Sequence, residues 1–451
     1  MTYLAMDIGA SSGKLIRSCL ADGKIKTEVV CRFENSLIER NGHLCWDIDR
    51  LYDEMVAGLR LAGKADWISI DTWAVDYVLL DGNGKRISDA VSYRDSRTDN
   101  VSCPVSRHEM YQHTGIQYQK FNTVYQLLAQ KEEEPEILDR AEHLLFVPDY
   151  LAYRLTGKMC QEYTNASTTG LLKAGTREWD AELIERLGLK KDLFKPLTMS
   201  GTVLGPVTED IGYDASFILA PTHDTACAVL ACPLTESSLY LSSGTWSLLG
   251  TVSQTPYTSR AAEDANLTNE GADDGKIRLL KNIMGTWMFQ NVRKENGDVS
   301  FSVLQEEAEH SQLIGCIDAL DDRFLSPSSM TDEIASALSE QGLRKPRTRG
   351  ETANVIYHSL ALAYRKAAEE LSAITGRTFT HLAIAGGGSK DSYLNALTAR
   401  YTGLEVTAGP VEASAAGNIL SAMIHTGLVE RAEAKDLITS SFDIKTVKAE
   451  E

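Results

Sequence analysis

The stretch "DIGASSGK" at residues 7–14 constrains the fold more than any other part of the chain. Before it stands "TYLAM", which reads as a strand; after it comes "KLIRSCLADGKIKTEVV", in which Asp22-Gly23 marks a tight turn only a few residues on. No long helix fits between loop and turn, so the loop joins two strands of a hairpin. A Walker A loop needs G-x-x-x-x-G-K followed by Ser or Thr, whereas Gly9 and Gly13 stand one residue too close and Lys14 is followed by Leu15. What remains is a short Gly/Ser turn. Its backbone N–H groups and the hydroxyls of Ser11 and Ser12 suit an anion, and Asp7, at the end of the first strand, suits a hydrated magnesium ion. An ordinary hairpin turn is the alternative.

The same theme returns in "LYLSSGTWSLLGTVSQTP" at residues 239–256: strand, Ser/Ser/Gly turn, strand. Farther on, "THLAIAGGGSKDSYLNALTARYTG" reads as a strand, a glycine loop and a helix, followed by the apolar "LEVTAG". Hairpin and later strand occur in the same order as "DIGASSG" and "ISIDTW" in the first half, which favours duplication over chance likeness. A length of 451 residues suits two domains. A boundary near 235 divides them into 1–235 and 236–451, with a cleft expected between the halves. Strand and helix signals alternate in an α/β pattern: "DIDRLYDEMVAGLRLAG" is amphipathic, "WISIDTWAVDYVLLDGNGKRI" is a strand leading to a hairpin around Asp81-Gly82, and "HLLFVPDYLAYRLTGK" is a strand, a Pro-started helix and a stop at Gly157.

A formal net charge of −18 argues against a nucleic-acid surface, which needs clustered Lys and Arg, and disfavours an anionic membrane surface. An anionic ligand must then be held locally by backbone dipoles, magnesium or a few cations. No apolar run approaches the length of a membrane span and no basic-then-apolar leader opens the chain, so a cytoplasmic location is expected. The eight cysteines form no C-x-x-C pair and are read as reduced thiols.

"FILAPTHDTACAVLACP" is the most informative segment for chemistry. It reads as a strand, a break at Pro221, and a helix capped by Thr222, with His223 and Asp224 in its first turn. There the helix dipole is expected to lower the pKa of Asp224 and keep it ionised. An ionised carboxylate can take the proton of a hydroxyl that attacks a phosphoryl group; helping to charge the helix start is the plainer role. "AIAGGGSKD" is not G-x-G-x-x-G, because Asp391 stands at the third glycine, but Gly386, Gly387 and Gly388 let a nucleotide lie against bare backbone. In "LKNIMGTWMFQNV", Asn282 and Gln290 are expected about two helical turns apart on one side, as amides suited to a base or ribose.

Together, "DIGASSGK", "IDTWAVDYVLLD", "YRDSRT", "PDYLAYRLTGKM", "EYTNAST", "HDTACAV", "YLSSGTWSL", "KNIMGTW", "AGGG" and "AGPVEASAAGNI" resemble, in order and over nearly the whole chain, the FGGY family of carbohydrate kinases. The resemblance implies an α/β fold of two actin-like ATPase (ribonuclease H-like) domains with an interdomain cleft that takes a sugar and MgATP. It implies ATP-dependent phosphorylation of the 1-hydroxyl of L-rhamnulose in L-rhamnose catabolism. Another ketose or polyol kinase, for L-fuculose, L-xylulose or D-xylulose, and a non-kinase actin-like ATPase are the alternatives. Carried over by position, Ala10, Ser11, Ser12, Gly13 and Lys14 would touch the ATP phosphates, with Asp7 near magnesium. Thr245, Asn282, Gln290 and Gly387 would complete the nucleotide site. His223, Asp224 and Thr225 would meet the sugar, with Asp224 as general base. The backbone of Ala74 would also meet it, at a position where Gly is usual in relatives acting on this sugar. Lys14 stands where Arg also occurs, keeping the charge without the bidentate fork. The implied partners are the sugar and MgATP, with no nucleic acid and no membrane, in a monomer or small homo-oligomer.

Overall fold

The computed structural model describes residues 1–325 and 327–448. The chain forms two compact units. The first gathers Met1–Pro233, Val252–Leu279 and Ala413–Ser441; the second gathers Leu234–Thr251, Leu280–Glu412 and the described residues from Phe442 on.

The first sheet is built on the hairpin of β1 (Thr2–Ile8) and β2 (Ser12–Ala21), extended by β3 (Lys24–Glu34) through the turn at Asp22 and Gly23, both at positive φ. β1 pairs antiparallel with β2 and parallel with β4 (Trp67–Thr72). β5 (Val203–Pro206) and β6 (Ser216–Ile218) complete the order β5-β6-β4-β1-β2-β3. β1 and β4 are buried along nearly their whole length, β1 as a mostly apolar run and β4 with Ser69, Asp71 and Thr72 buried among its isoleucines. The helix Ile48–Ala62, capped by the Asp47 carboxylate on Arg50 N–H, lays Leu51, Met55 and Leu59 into one core with Leu4, Met6 and Ile70. The helix Ala413–His425 also packs on β1 and β4 and crosses the helix Asp224–Leu230 closely. A Cβ on Gly417 would lie 1.8 Å from the Cys227 carbonyl oxygen, which accounts for the small residues of "ASAAG". The Pro-started helix Val147–Thr156 ends on Gly157 in the left-handed region, as its sequence predicts.

The second sheet repeats the plan. β7 (Ser238–Ser243) pairs antiparallel with β8 (Trp246–Ser253) and parallel with β10 (His381–Ala385), where β9 is Ile277–Met284. With β11 (Glu405–Ala408) and β12 (Lys445–Val447), six of its strands run β12-β11-β10-β7-β8-β9. From β10 to β9 this is the order of the first sheet from β4 to β3, while the outer pair is exchanged in chain order: β5 precedes β6 at the first edge, and β12 follows β11 at the second. Strand directions at that edge agree, since β6 is parallel to β4 and antiparallel to β5, while β11 is parallel to β10 and antiparallel to β12.

Two expectations are corrected. "WISIDTWAVDYVLLD" is not one strand: β4 stops at Thr72 and a separate strand, Tyr77–Leu80, starts after a turn. Asn282 and Gln290 do not share a helix. Asn282 lies on β9, and Gln290 on the helix Trp287–Glu295 that begins only after Gly285, so a helical spacing between them has no meaning. The β-branched and apolar run Ile277–Met284 is buried sheet rather than helix.

Candidate active site

In the first unit the β1 register sets Asp7 opposite Lys14 on one side and opposite Asp71 on the other. Lys14 Nζ lies 3.0 Å from Asp7 Oδ2. Asp71 is fully buried; its Oδ2 accepts a 2.6 Å bond from Asn418 Nδ2, and its Oδ1 has no hydrogen-bond partner. Beyond β6 the chain runs alongside the end of β4: Thr72 N–H donates to the Thr222 carbonyl at 2.9 Å, and Thr72 and His223 form a parallel bridge. That extension delivers Asp224 to the same end of the sheet as Asp7 and Asp71.

The electrostatics there reverse the expectation for Asp224. Surrounding protein, and then the Asp7 charge, push its pKa up to about 6, and burial with Asp7 holds Asp71 well above the usual carboxylate range. The helix Asp224–Leu230 has seven residues, and its dipole is outweighed by desolvation and a like charge. A carboxyl group poised near neutrality is suited to accept a proton. Asp224 Oδ1 is occupied by Thr225 N–H at 2.6 Å and Thr225 Oγ at 3.2 Å, and the side chain keeps 32% of its surface exposed. The cap also differs from expectation. His223 is the N-cap without a side-chain bond, because the Thr222 hydroxyl donates to Glu162 instead.

Glu162 is a buried hub that the sequence reading did not single out. Its Oε2 accepts from Thr164 N–H (2.9 Å) and hydroxyl (2.6 Å), Asn165 N–H (3.2 Å), and Thr222 N–H (3.2 Å) and hydroxyl (2.9 Å). Asn165 Nδ2 in turn donates to the Trp73 carbonyl at 3.4 Å, so one carboxylate ties the turn before Asp224 to the turn at Ala74.

Ala74 is the one partly exposed residue between Asp71 and Leu80. Asp76 N–H donates to the Ala74 carbonyl at 2.9 Å across Val75, which sits at φ 69°. This is a γ-turn with a β-branched residue in the left-handed region, a conformation that costs about 1–3 kcal/mol and persists only where its surroundings enforce it. They do so here: Thr123 Oγ holds the Val75 carbonyl at 2.7 Å, and the Asp76 carboxylate accepts from Trp46 Nε1 (2.6 Å), Trp73 Nε1 (2.9 Å), Gln126 Nε2 (2.8 Å) and Tyr93 N–H (3.1 Å).

In the first hairpin turn, Gly9 N–H bonds the Ser12 carbonyl at 2.9 Å, and Asn35 holds the Ser11 carbonyl by its N–H (3.1 Å) and the Gly9 carbonyl by its side chain (3.0 Å). With those carbonyls engaged, Ser11 and Ser12 are left exposed beside part-buried Ala10. Gly13 is required sterically, since a Cβ there would meet the Phe33 ring at 2.2 Å.

In the second unit Thr245 is exposed in the hairpin turn, and its carbonyl accepts from Gly285 N–H (3.2 Å) and Trp287 N–H (3.3 Å). Gln290 Nε2 donates to Thr286 Oγ at 3.2 Å, and the Thr286 hydroxyl donates to the Gly244 carbonyl at 3.0 Å. These contacts bring Thr245 and Gln290 to one end of the sheet; Asn282 is half-buried on the adjoining strand. Gly387, which opens a short helical turn after β10, is exposed, with nothing within 4 Å of an added Cβ.

The sequence reading also missed Arg278 and Glu270. Arg278 is completely buried on β9; its Nη2 lies 3.1 Å from His223 Nδ1 and 3.1 Å from Glu270 Oε2. A lone arginine inside the apolar run "IRLL" was the available signal.

Comparison with known proteins gives the family. Residues 2–230 match the N-terminal domain, and residues 239–426 the C-terminal domain, of the FGGY family of carbohydrate kinases. The chain belongs to that family and is a carbohydrate kinase. Among curated proteins it is similar to the rhamnulokinase of Oceanobacillus iheyensis, 43% identical over 98% of this chain and 97% of that one. It is likewise similar to the rhamnulokinase of Bacillus subtilis, 42% identical over 99% of this chain and 95% of that one. Among solved structures, the ligand-bound xylulose kinase of Lactobacillus acidophilus has a TM-score of 0.79 at 17% identity and is matched over 94% of its length by all of this chain. The xylulose kinase of Rhodospirillum rubrum has a TM-score of 0.79 at 18% identity, with the same coverage. At those identities the structures bear on the fold alone, which is the two-domain actin-like architecture expected from the sequence. Among the described residues no helix is long and apolar enough to cross a membrane.

Proposed function

We propose that this kinase transfers the γ-phosphoryl group of ATP to the 1-hydroxyl of L-rhamnulose, giving L-rhamnulose 1-phosphate in L-rhamnose catabolism. The observation that carries the choice of sugar is the 42–43% identity to rhamnulokinases over nearly the full chain. In this reading Asp224 takes the proton of the 1-hydroxyl as that oxygen bonds to the γ-phosphorus and the bond to the ADP oxygen breaks. His223, Thr225 and the backbone of Ala74 hold the sugar. Ala10, Ser11, Ser12, Gly13 and Lys14 hold the phosphates, while Thr245, Asn282, Gln290 and Gly387 hold the nucleoside. Residues 1–235 then carry sugar and phosphates, and residues 236–451 the nucleotide.

Magnesium belongs to the proposal, with Asp7 holding it. Asp7 and Asp71 face each other in register against a single lysine, and Asp71 Oδ1 lacks a hydrogen bond, so the local charge suits a cation. Among the described residues no three His, Cys, Asp or Glu side chains converge into a ligand shell. That is compatible with magnesium, which keeps several waters and takes phosphate oxygens alongside one or two carboxylates. When bound, the ion screens the phosphate charge. The cytoplasm, where ATP and reduced thiols are maintained, is the compartment that suits such an enzyme.

Initial rates of ATP turnover across L-rhamnulose, L-fuculose, L-xylulose and D-xylulose test the assignment. L-rhamnulose should give the highest kcat/KM. An equal or higher value for any other ketose removes rhamnulose as the assigned substrate and leaves the kinase class standing, since one or two hydroxyl contacts decide such choices.

A further inference from the structure

We infer that Arg278 is a positioning residue for the transfer proposed above, fixing the His223 ring as the neutral tautomer with its proton on Nε2, the nitrogen that faces Asp224. A guanidinium has donors and no acceptor. Arg278 Nη2 lies 3.1 Å from His223 Nδ1, so Nδ1 must be the acceptor and cannot carry a proton. The ring proton then sits on Nε2, which is 3.5 Å from Asp224 Oδ1. The other acidic neighbour does not compete: Glu270 Oε2 is 3.7 Å from Nδ1 and already accepts from Arg278 Nη2 at 3.1 Å. Burial and the adjacent guanidinium both hold the His223 pKa well below its usual value, so a doubly protonated ring is disfavoured as well.

Arg278 is itself an expensive residue for its place. It is wholly buried, its Nε–H is fixed on the Gly271 carbonyl at 2.7 Å, and its Nη1 has no hydrogen-bond partner. An aliphatic side chain would suit a strand flanked by Ile277 and Leu279 at lower cost. The bond to His223 gives the arginine a use that packing does not. It makes the residue next to the base a pure hydrogen-bond donor on its Nε2 side, while Asp224 remains the acceptor. A sugar oxygen beside His223 must therefore accept a hydrogen bond, and the hydroxyl that gives up its proton is directed to Asp224.

The inference rests on Asp224 as base, but its first test is independent of substrate. In full-length protein labelled with [15N]histidine, the ring-nitrogen spectrum at neutral pH, with His223 assigned by its loss in His223→Gln, should show Nε2 protonated and Nδ1 bare. A protonated Nδ1, or an exchanging mixture of tautomers, overturns the inference even if Arg278 variants fail to fold. The second test is a cycle. Arg278→Met should lower kcat/KM for the sugar by about ten- to a hundred-fold and leave the ATP KM within about twofold, with partial recovery in Arg278→Lys. In a His223→Gln background the same change should cost less than about twofold. Losses that multiply in full would assign Arg278 to general stability and overturn the positioning role. Failure to phosphorylate L-rhamnulose would instead strike the substrate assignment, leaving the tautomer result to stand or fall by itself.

Discussion

The two hairpins share their strand surroundings and differ in charge. In the first, the turn joins strands that carry Asp7 and Lys14, paired at 3.0 Å, with Asp71 in register on the next strand. In the second, "SSGTW" carries no charge, and its backbone does the work: the Gly244 carbonyl accepts from Thr286 N–H at 2.9 Å and the Thr245 carbonyl from Trp287 N–H at 3.3 Å. Gly285 passes so close that a Cβ would stand 2.6 Å from the Gly244 carbonyl oxygen. One copy of the duplicated plan thus concentrates titratable groups, and the other offers a neutral backbone cradle next to a glycine loop. The first suits bond-making at a phosphoryl group; the second suits holding a nucleoside, where charge would add desolvation cost without chemistry.

The sharpest break in that comparison is Asp224→Asn. Removing the base from the charged side should lower kcat by about a hundred- to ten-thousand-fold while the ATP KM stays close to wild type. The direction of the Asp224 shift adds two checks. Because its pKa lies at about 6, kcat/KM should rise with pH through that value and level off above it. A carboxyl group whose folded pKa is raised contributes stability below its unfolded pKa of about 3.9, and that contribution is lost as pH rises through the folded value. Asp224→Asn should therefore melt no lower than wild type at pH 8. Near wild-type kcat, or a clear drop in Tm with turnover of the folded enzyme preserved, would make Asp224 a helix-start residue and turn attention to Asp7 and Asp76.

Lys14→Met comes next. It leaves two facing carboxylates without their cation, so kcat should fall by roughly a hundredfold and Tm should fall with it. Lys14→Arg keeps the charge and should recover most of the loss. If Lys14→Met turns over normally, the first hairpin is an ordinary turn and the contrast between the copies disappears.

What could be read in advance from the sequence divides along the same line. Local signals were legible: the Asp22-Gly23 turn, the Pro148 start and Gly157 stop, the strand–glycine loop–helix at 381–402, and the recurrence of the hairpin, which the antiparallel pair of β7 and β8 bears out. The charged end of the first sheet was legible in its members and not in their couplings. Arg278 reaches His223 across 55 residues and Asn418 reaches Asp71 across 347, and no spacing rule connects such positions. The upward shift of Asp224 follows from burial and from Asp7, so a helix-start argument, which sees only the nearest backbone, gave it the wrong sign. Asn282 and Gln290 were misread because a short apolar run fits strand and helix alike.

On the neutral side, Gly387→Val should leave Tm unchanged, because an added Cβ meets nothing within 4 Å. If a nucleoside lies against that backbone, the ATP KM should rise about tenfold, a change of about 1.4 kcal/mol, while the sugar KM moves little. An unchanged ATP KM in this folded variant would take the glycine loop out of the nucleotide site.

The smallest expected effect is the one that best separates the two hairpins. Thr245→Ala removes an exposed hydroxyl and leaves in place the backbone carbonyl that the second hairpin uses. If that hairpin works through its backbone, the variant should raise the ATP KM by no more than a few-fold, in line with one solvent-competing hydrogen bond of about 0.5–1.5 kcal/mol, and kcat should hold. Ser12→Ala, just past the turn of the charged hairpin, should instead lower kcat, because its hydroxyl is among the groups proposed to hold the ATP phosphates. Measuring both variants against ATP at saturating sugar gives the comparison directly. A kcat loss in Thr245→Ala as large as that in Ser12→Ala would mean that both hairpins touch the reacting phosphate, and the division of labour between a charged copy and a neutral copy would have to be abandoned.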